Sequence, residues 1–273
     1  MFPLFVPATR PDRIEKARVC GASFVIADLE DAVAPGDKET ARNTLAELQL
    51  GESGAPVCVR INGVGTPWFE EDLAMVAKSS FAGLVLPKAE DSKQLNVIHH
   101  ALPPEMVFFG IVETALGLGC VRDLAPQLDR LFFGSLDYAA DLDCAHTIPA
   151  LAHARAEIVL AARMAQKPGP LDGVTADTKN LDLIEKEAAY GSELGFKGKL
   201  LIHPAQLSPA MAGFRPSDDE LAWAMKVQGT IDDAGVAKVD GEMVDAPVIA
   251  RAKLLLARAA EASPKNTDKT SEE

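Results

Sequence analysis

The strongest constraint on this chain is an alternation of short apolar runs with segments of helical spacing. The apolar runs fall at residues 4–8, 23–29, 57–62, 81–88 and 107–113, then in a run ending near Asp137, then at 170–174 and 199–203. Between them, residues of about 11–19, 36–50, 67–79, 91–102, a stretch through 125, 148–166 and 181–195 repeat their apolar positions at helical spacing. No block rich only in strands or only in helices interrupts the series. Eight strand-helix repeats predict an α/β fold of the (β/α)8 TIM-barrel type, with parallel strands inside and helices outside.

The length of 273 residues exceeds what such a barrel needs. The barrel is therefore expected over 1–212, followed by a C-terminal helical extension over 213–262. The extension holds two helical segments, about 217–234 and 246–262, joined by GVAKVDGEMVDAP. Helices added to a closed barrel gain little from its core, so they are expected to pack on its outside or on a neighbouring subunit. The last stretch, SPKNTDKTSEE at 263–273, has no apolar residue and is expected to be a disordered tail.

Ionisable residues gather at the C-terminal ends of the apolar runs: Glu30 and Asp31, Arg60, Lys88, Glu113, Asp137 and His203. Barrel enzymes build their sites on that rim. Glu113 and Asp137 end two neighbouring runs within VFFGIVETALGLGCVRDLAPQLDRLFFGSLDYAADL. Two carboxylates on one rim suit Mg2+, which takes one or two protein oxygens and keeps water or substrate in its other positions. The same residues also suit a helix-start acid and an N-cap. Neither G-x-G-x-x-G nor a Walker pattern follows the first run, which argues against a dinucleotide fold.

A net charge of -13 argues against binding nucleic acid or an anionic membrane. No apolar run is long enough to span a bilayer and the N-terminus has no leader pattern, so a cytoplasmic location is expected. Cysteines 20, 58, 120 and 144 form no CxxC pair and read as reduced core residues.

In order along the chain, SFVIADLEDAVAPGDKETAR, VCVRING, GLVLPKAE, GIVETALGL, FFGSLDYAADL, GFKGKLLIHPAQ and GEMVDAP resemble the citrate lyase β-subunit-like family of the HpcH/HpaI aldolase group over about residues 2–260. The resemblance implies a (β/α)8 barrel that forms homotrimers or hexamers. It also implies an Mg2+-dependent lyase that cleaves or forms the carbon-carbon bond of a CoA thioester such as malyl-, citramalyl- or citryl-CoA, with an acyl-CoA and a 2-oxoacid as products. Residue by residue, it implies Glu113 and Asp137 as metal ligands, Arg60 as the partner of a substrate carboxylate, and Glu30 and Asp31 as acids beside the metal waters. Gly134 and Ser135 would offer backbone N–H groups to the substrate. Arg10 and Lys16 would hold CoA phosphates, and Asp245 would act as acid/base on the neighbouring subunit's site.

Each assignment has a plainer counterpart in the residues themselves. Asp245 precedes Ala246 and Pro247 as an N-cap would, Gly134 suits a turn, and Lys88 suits either charge balance or a structural ion pair. His203 reads as a structural partner of its strand end. Alternatives to the lyase are a thioesterase or malate-synthase-like activity on the same scaffold, the β-chain of a multi-subunit complex, and a noncatalytic binding partner.

Overall fold

The computed structural model describes residues 1–229, 237–239 and 242–262. Six strands lie parallel in sequence order: β1 (Leu4–Pro7), β2 (Val25–Asp28), β3 (Val57–Arg60), β4 (Gly83–Leu86), β5 (Val107–Val112) and β6 (Arg130–Phe133). After β1 comes α1 (Pro11–Arg18), after β2 α2 (Lys38–Ala46), after β3 α3 (Phe69–Ala77) and after β4 α4 (Ser92–Ala101). Two short helices, α5 (Ala115–Gly119) and α6 (Val121–Leu124), follow β5. β6 leads into α7 (Ser135–Asp141) and α8 (Ile148–Met164), then α9 (Leu181–Leu194) and α10 (Leu207–Gly213). Among the described residues no helix is long and apolar enough to cross a membrane.

Every residue of β2, β3 and β4 is buried. A parallel strand covered on both faces must be apolar throughout, which is why these segments read as runs. Outward residues such as Val25, Val59 and Leu84 join the larger core beneath the helices. Inward residues Ile26, Cys58, Val85, Ile111 and Phe132 form a second cluster with Phe24 and Phe109. The rings of Phe24 and Phe109 stack 5.6 Å apart, and Phe24 lies 6.4 Å from Phe132. Phe24 enters β2 and Phe132 sits on β6, with three strands between them, so the sheet curls around this cluster.

Residues 170–174 and 199–203 do not form the expected regular strands. They contribute single parallel bridges: Leu171 with Phe132, Asp172 with Lys199, and Leu201 with Leu4. Pro170 has no amide hydrogen and Gly198 sits at φ +154°, yet backbone bonds run past both: the Lys197 N–H donates to the Pro170 carbonyl at 2.8 Å, the Asp172 N–H to Gly198 at 2.9 Å and the Leu200 N–H to Asp172 at 2.9 Å. The fully buried Lys199 turns its ammonium onto the Gly173 carbonyl at 2.6 Å, and Arg155 Nε donates to Asp172 Oδ1 at 2.9 Å. This buried polar pairing stands beside Leu171 and Leu200, which join the inner apolar cluster.

Smaller departures have local causes. The helix expected through 125 breaks at Cys120 into α5 and α6, within a segment weakened by Gly117 and Gly119. The helix expected from 36 begins as a 3-10 turn at Pro35–Asp37, and α2 stops at Ala46.

Met1–Phe214 forms one compact unit and Arg215–Glu273 another. The second contains α11 (Asp218–Gly229), β7 (Ala237–Val239), β8 (Glu242–Val244) and α12 (Ala246–Ala262). The segment read as a plain connection between two helices is in part a hairpin, with β7 antiparallel to β8. Ala224, Val227, Val244, Ala252 and Leu255 form its own small core, and Arg251 lies over the Trp223 ring at 5.2 Å. The tail expected at 263–273 lies outside the described residues.

Candidate functional site

The C-terminal ends of the strands open onto a cavity of about 350 Å3, with Asp28, Arg60, Glu113 and Asp137 in its wall and Phe5 and Phe133 among its apolar lining. Register explains the convergence. Asp28 and Arg60 are partners at the last positions of β2 and β3, so both side chains leave at the same level of the rim. Arg60 Nε and Nη2 each donate to one oxygen of Asp28 at 2.7 Å. Its Nη1 lies 2.9 Å from Glu30 Oε2 and 3.2 Å from Asp31 Oδ2. The guanidinium also covers the Phe5 ring at 4.9 Å. Burial opposes its charge, but Asp28, Glu30 and Asp31 outweigh that penalty and hold its pKa above the ordinary value.

Asp28 was not singled out from sequence, yet its carboxylate organises this corner. Besides Arg60, it accepts the Glu30 N–H at 2.9 Å and the Ala32 N–H at 3.2 Å. The available signal was an acid ending a fully buried run, a position that needs a partner.

Glu113 follows β5 directly and is 2% exposed, too buried for a helix-start acid facing solvent. Its Oε1 accepts the Lys88 N–H at 2.8 Å. Gly134, the first residue after β6, leaves the space its carboxylate occupies, since a Cβ there would run into Glu113. Burial first, then the neighbouring charges of Glu30 and Asp137, push the Glu113 carboxyl up to about 8. Asp137 was expected at a strand end but lies in the first turn of α7, three residues past the glycine where β6 has already stopped. Its carboxyl is also raised, by burial and then by Asp31. Among the described residues no three or more His, Cys, Asp or Glu side chains converge as a closed metal site. Two hard carboxylates whose ionisation is opposed by burial and by neighbouring acids do fit a cation that keeps most of its ligands as water or substrate.

The other predicted residues are placed as follows. Glu30 is buried, its Oε1 3.3 Å from Lys88 Nζ, and burial raises its pKa against the pull of Arg60. Asp31 borders both this cavity and a second one of about 600 Å3, which Glu30 and Lys88 also line. The Gly134 N–H donates to the Val112 carbonyl at 3.0 Å, so it does not offer the ligand contact expected of it. Ser135 Oγ lies 3.0 Å from His146 Nε2, a residue that sequence reasoning did not single out. Arg10 and Lys16 are exposed and do not line the cavity, and Arg10 pairs with Asp12 at 2.9 Å. His203 Nδ1 accepts the Ala205 N–H at 3.1 Å and caps the following turn. Asp245 is in the second unit, where its Oδ1 accepts the Val248 N–H at 3.2 Å as an N-cap of α12. All four cysteines are free.

A curled parallel sheet with acids and one arginine at its carboxyl-end rim defines an α/β protein whose candidate site lies at the end of the strands where such folds bind their ligands. The model of the HpcH/HpaI aldolase/citrate lyase family matches residues 2–204, and the chain belongs to that family. A citrate lyase subunit beta-like protein of Mycobacterium tuberculosis is 35% identical over 271 residues, covering 95% of this chain and 96% of the relative. A (3S)-malyl-CoA thioesterase of Cereibacter sphaeroides is 33% identical over 266 residues, covering 94% and 93%. Among solved structures, CitE from Mycobacterium tuberculosis, in complex with magnesium, acetoacetate and coenzyme A, superposes with a TM-score of 0.84 at 32% identity, covering 95% of this chain and 97% of that one.

Proposed function

We propose that this chain is an Mg2+-dependent acyl-CoA lyase that cleaves or forms the carbon-carbon bond of a β-hydroxyacyl-CoA such as malyl-, citramalyl- or citryl-CoA. The carrying observation is the pair Glu113 and Asp137, two carboxylates of raised pKa on one cavity wall with Arg60. Magnesium in the CitE complexes supports the cation assignment. Glu113 and Asp137 would hold the Mg2+, which supplies Lewis acidity toward the oxygens of a 2-oxoacid.

The remaining work falls to the protein. Asp28 fixes the plane of Arg60 through Nε and Nη2, so the carboxylate of the 2-oxoacid meets the Nη1 side, in exchange for the exposed Asp31. Glu30 and Asp31 order water and receive the hydroxyl proton as the carbon-carbon bond breaks. Ser135 presents its N–H to the substrate, while Phe5 and Phe133 keep bulk water from the cavity. Arg10 and Lys16, exposed on the surface after β1, hold CoA phosphates. Asp245 protonates the departing acyl-CoA enolate carbon from a neighbouring subunit of a homotrimer or hexamer. We read the three bridges beyond β6 as the seventh and eighth staves of a closed (β/α)8 barrel.

A second reading is thioester hydrolysis, favoured by the relatives named (3S)-malyl-CoA thioesterase. Incubating malyl-CoA and citramalyl-CoA with the protein, with and without EDTA, separates the two. Release of a 2-oxoacid with the acyl-CoA intact supports the lyase, whereas free CoA thiol without a 2-oxoacid selects hydrolysis. Turnover unaffected by EDTA rejects the metal assignment.

A further inference from the structure

Lys88 is one of three non-glycine residues with positive φ among the described residues, at +47°. An L-residue pays for this conformation with a clash between Cβ and backbone. Its surroundings hold it there. On one side Leu86 is paired with Gly110 in the sheet, and on the other the Ala89 N–H donates to the Ile111 carbonyl at 3.0 Å. Between these two anchors to β5 the chain turns left-handed, and the amide freed from the ladder donates to Glu113 Oε1 at 2.8 Å. At its other end the same residue places Nζ 3.3 Å from Glu30 Oε1.

We infer that Lys88 is a positioning residue whose left-handed backbone, more than its positive charge, sets the Glu113 carboxylate for the cation. The ammonium on Glu30 serves to hold the strained turn. This deepens the reading of Glu113 as a metal ligand and rests on it.

The two attributes of Lys88 are separable by substitution. Lys88→Gly and Lys88→Val both delete the ammonium, but glycine adopts positive φ freely whereas a β-branched residue resists it. Mg2+ binding to the EDTA-treated full chain is measured by titration calorimetry, with melting temperatures recorded in parallel. Lys88→Gly should bind Mg2+ within about threefold of the parent, and Lys88→Val about tenfold more weakly than Lys88→Gly, the ratio expected for forcing a side chain into the left-handed region. Lys88→Ala, without the anchor but with an ordinary Cβ, should fall between them. Should Lys88→Val fail to fold, a deficit of Lys88→Ala against Lys88→Gly carries the same conclusion. Equal affinities across these variants, or an equal gain such as removal of a nearby cation would produce, overturn the inference. Glu113→Gln distinguishes this failure from a deeper one. If it binds Mg2+ as the parent does, or the parent binds none, the metal reading falls and takes the inference with it. If it binds none while the Lys88 variants are alike, only the inference falls.

Discussion

At the scale of single residues, the site depends on what surrounds Glu113. Its carboxyl in the metal-free protein stands at about 8 against an ordinary 4.5, so the folded state binds a proton that the unfolded state releases across that interval. The stability associated with it is complete below about 4.5 and is lost as pH rises toward 8. Urea midpoints in EDTA should therefore fall between pH 5 and pH 8, and Glu113→Gln should flatten that slope. Mg2+ held by Glu113 as proposed would reverse the preference, because a cation selects the carboxylate. Calorimetry at pH 7 in buffers of different ionisation enthalpy should find about one proton released per ion bound. Gly134→Ala tests the space around the same group. A methyl driven into Glu113 should cost about 1–3 kcal/mol of stability and weaken Mg2+ binding together. Intact binding in a destabilised variant would show that the carboxylate has room to move. Sequence marked Glu113 as a candidate ligand but said nothing of its proton, since burial is a property of the packed molecule.

At the scale of elements, β2 and β3 matter for the level at which they end. Their register makes Asp28 and Arg60 partners, and the pair is almost fully buried. Removing Asp28 takes away the two hydrogen bonds to Arg60 and leaves Glu30 and Asp31 to balance the buried guanidinium, so Asp28→Ala should cost about 1.5–3 kcal/mol in denaturant unfolding. Arg60→Lys keeps the charge but loses the planar fork. It should raise KM for the 2-oxoacid in the condensing direction by at least tenfold while leaving Mg2+ affinity near the parent value. An unchanged KM would remove Arg60 from the carboxylate contact. The sequence made Arg60 conspicuous, because an arginine in VCVRIN is polar in an apolar run. It did not reveal that two of its nitrogens were already engaged, because that depends on which residue of the neighbouring strand lies opposite. Asp137 lines the cavity from another element than the one expected for it: β6 stops at Phe133, and the first turn of α7 carries the acid.

At the scale of the whole molecule, the proposal that Asp245 serves a neighbouring subunit makes a prediction that no single-chain assay can give. Asp245→Ala should lose carbon-carbon cleavage while binding Mg2+ normally, and Glu113→Gln should lose both. Subunits of the two inactive variants, mixed and reassembled, should regain activity if one supplies the metal site and the other the acid. No recovery in verified mixed oligomers would place both residues in one chain's site. What the sequence determined by itself was the alternation, the parallel order of the strands and the collection of ionisable residues at their carboxyl ends. Those follow from local periodicity and from the rule that a doubly covered strand must be apolar, and both are written residue by residue. Only the tertiary structure decided that residues 170–174 and 199–203 bury Lys199 against the Gly173 carbonyl, that Asp28 holds Arg60, and that Lys88 turns its amide onto Glu113. Each of these depends on side chains far apart in sequence competing for the same buried hydrogen-bond partners, and that competition exists only once the chain is folded.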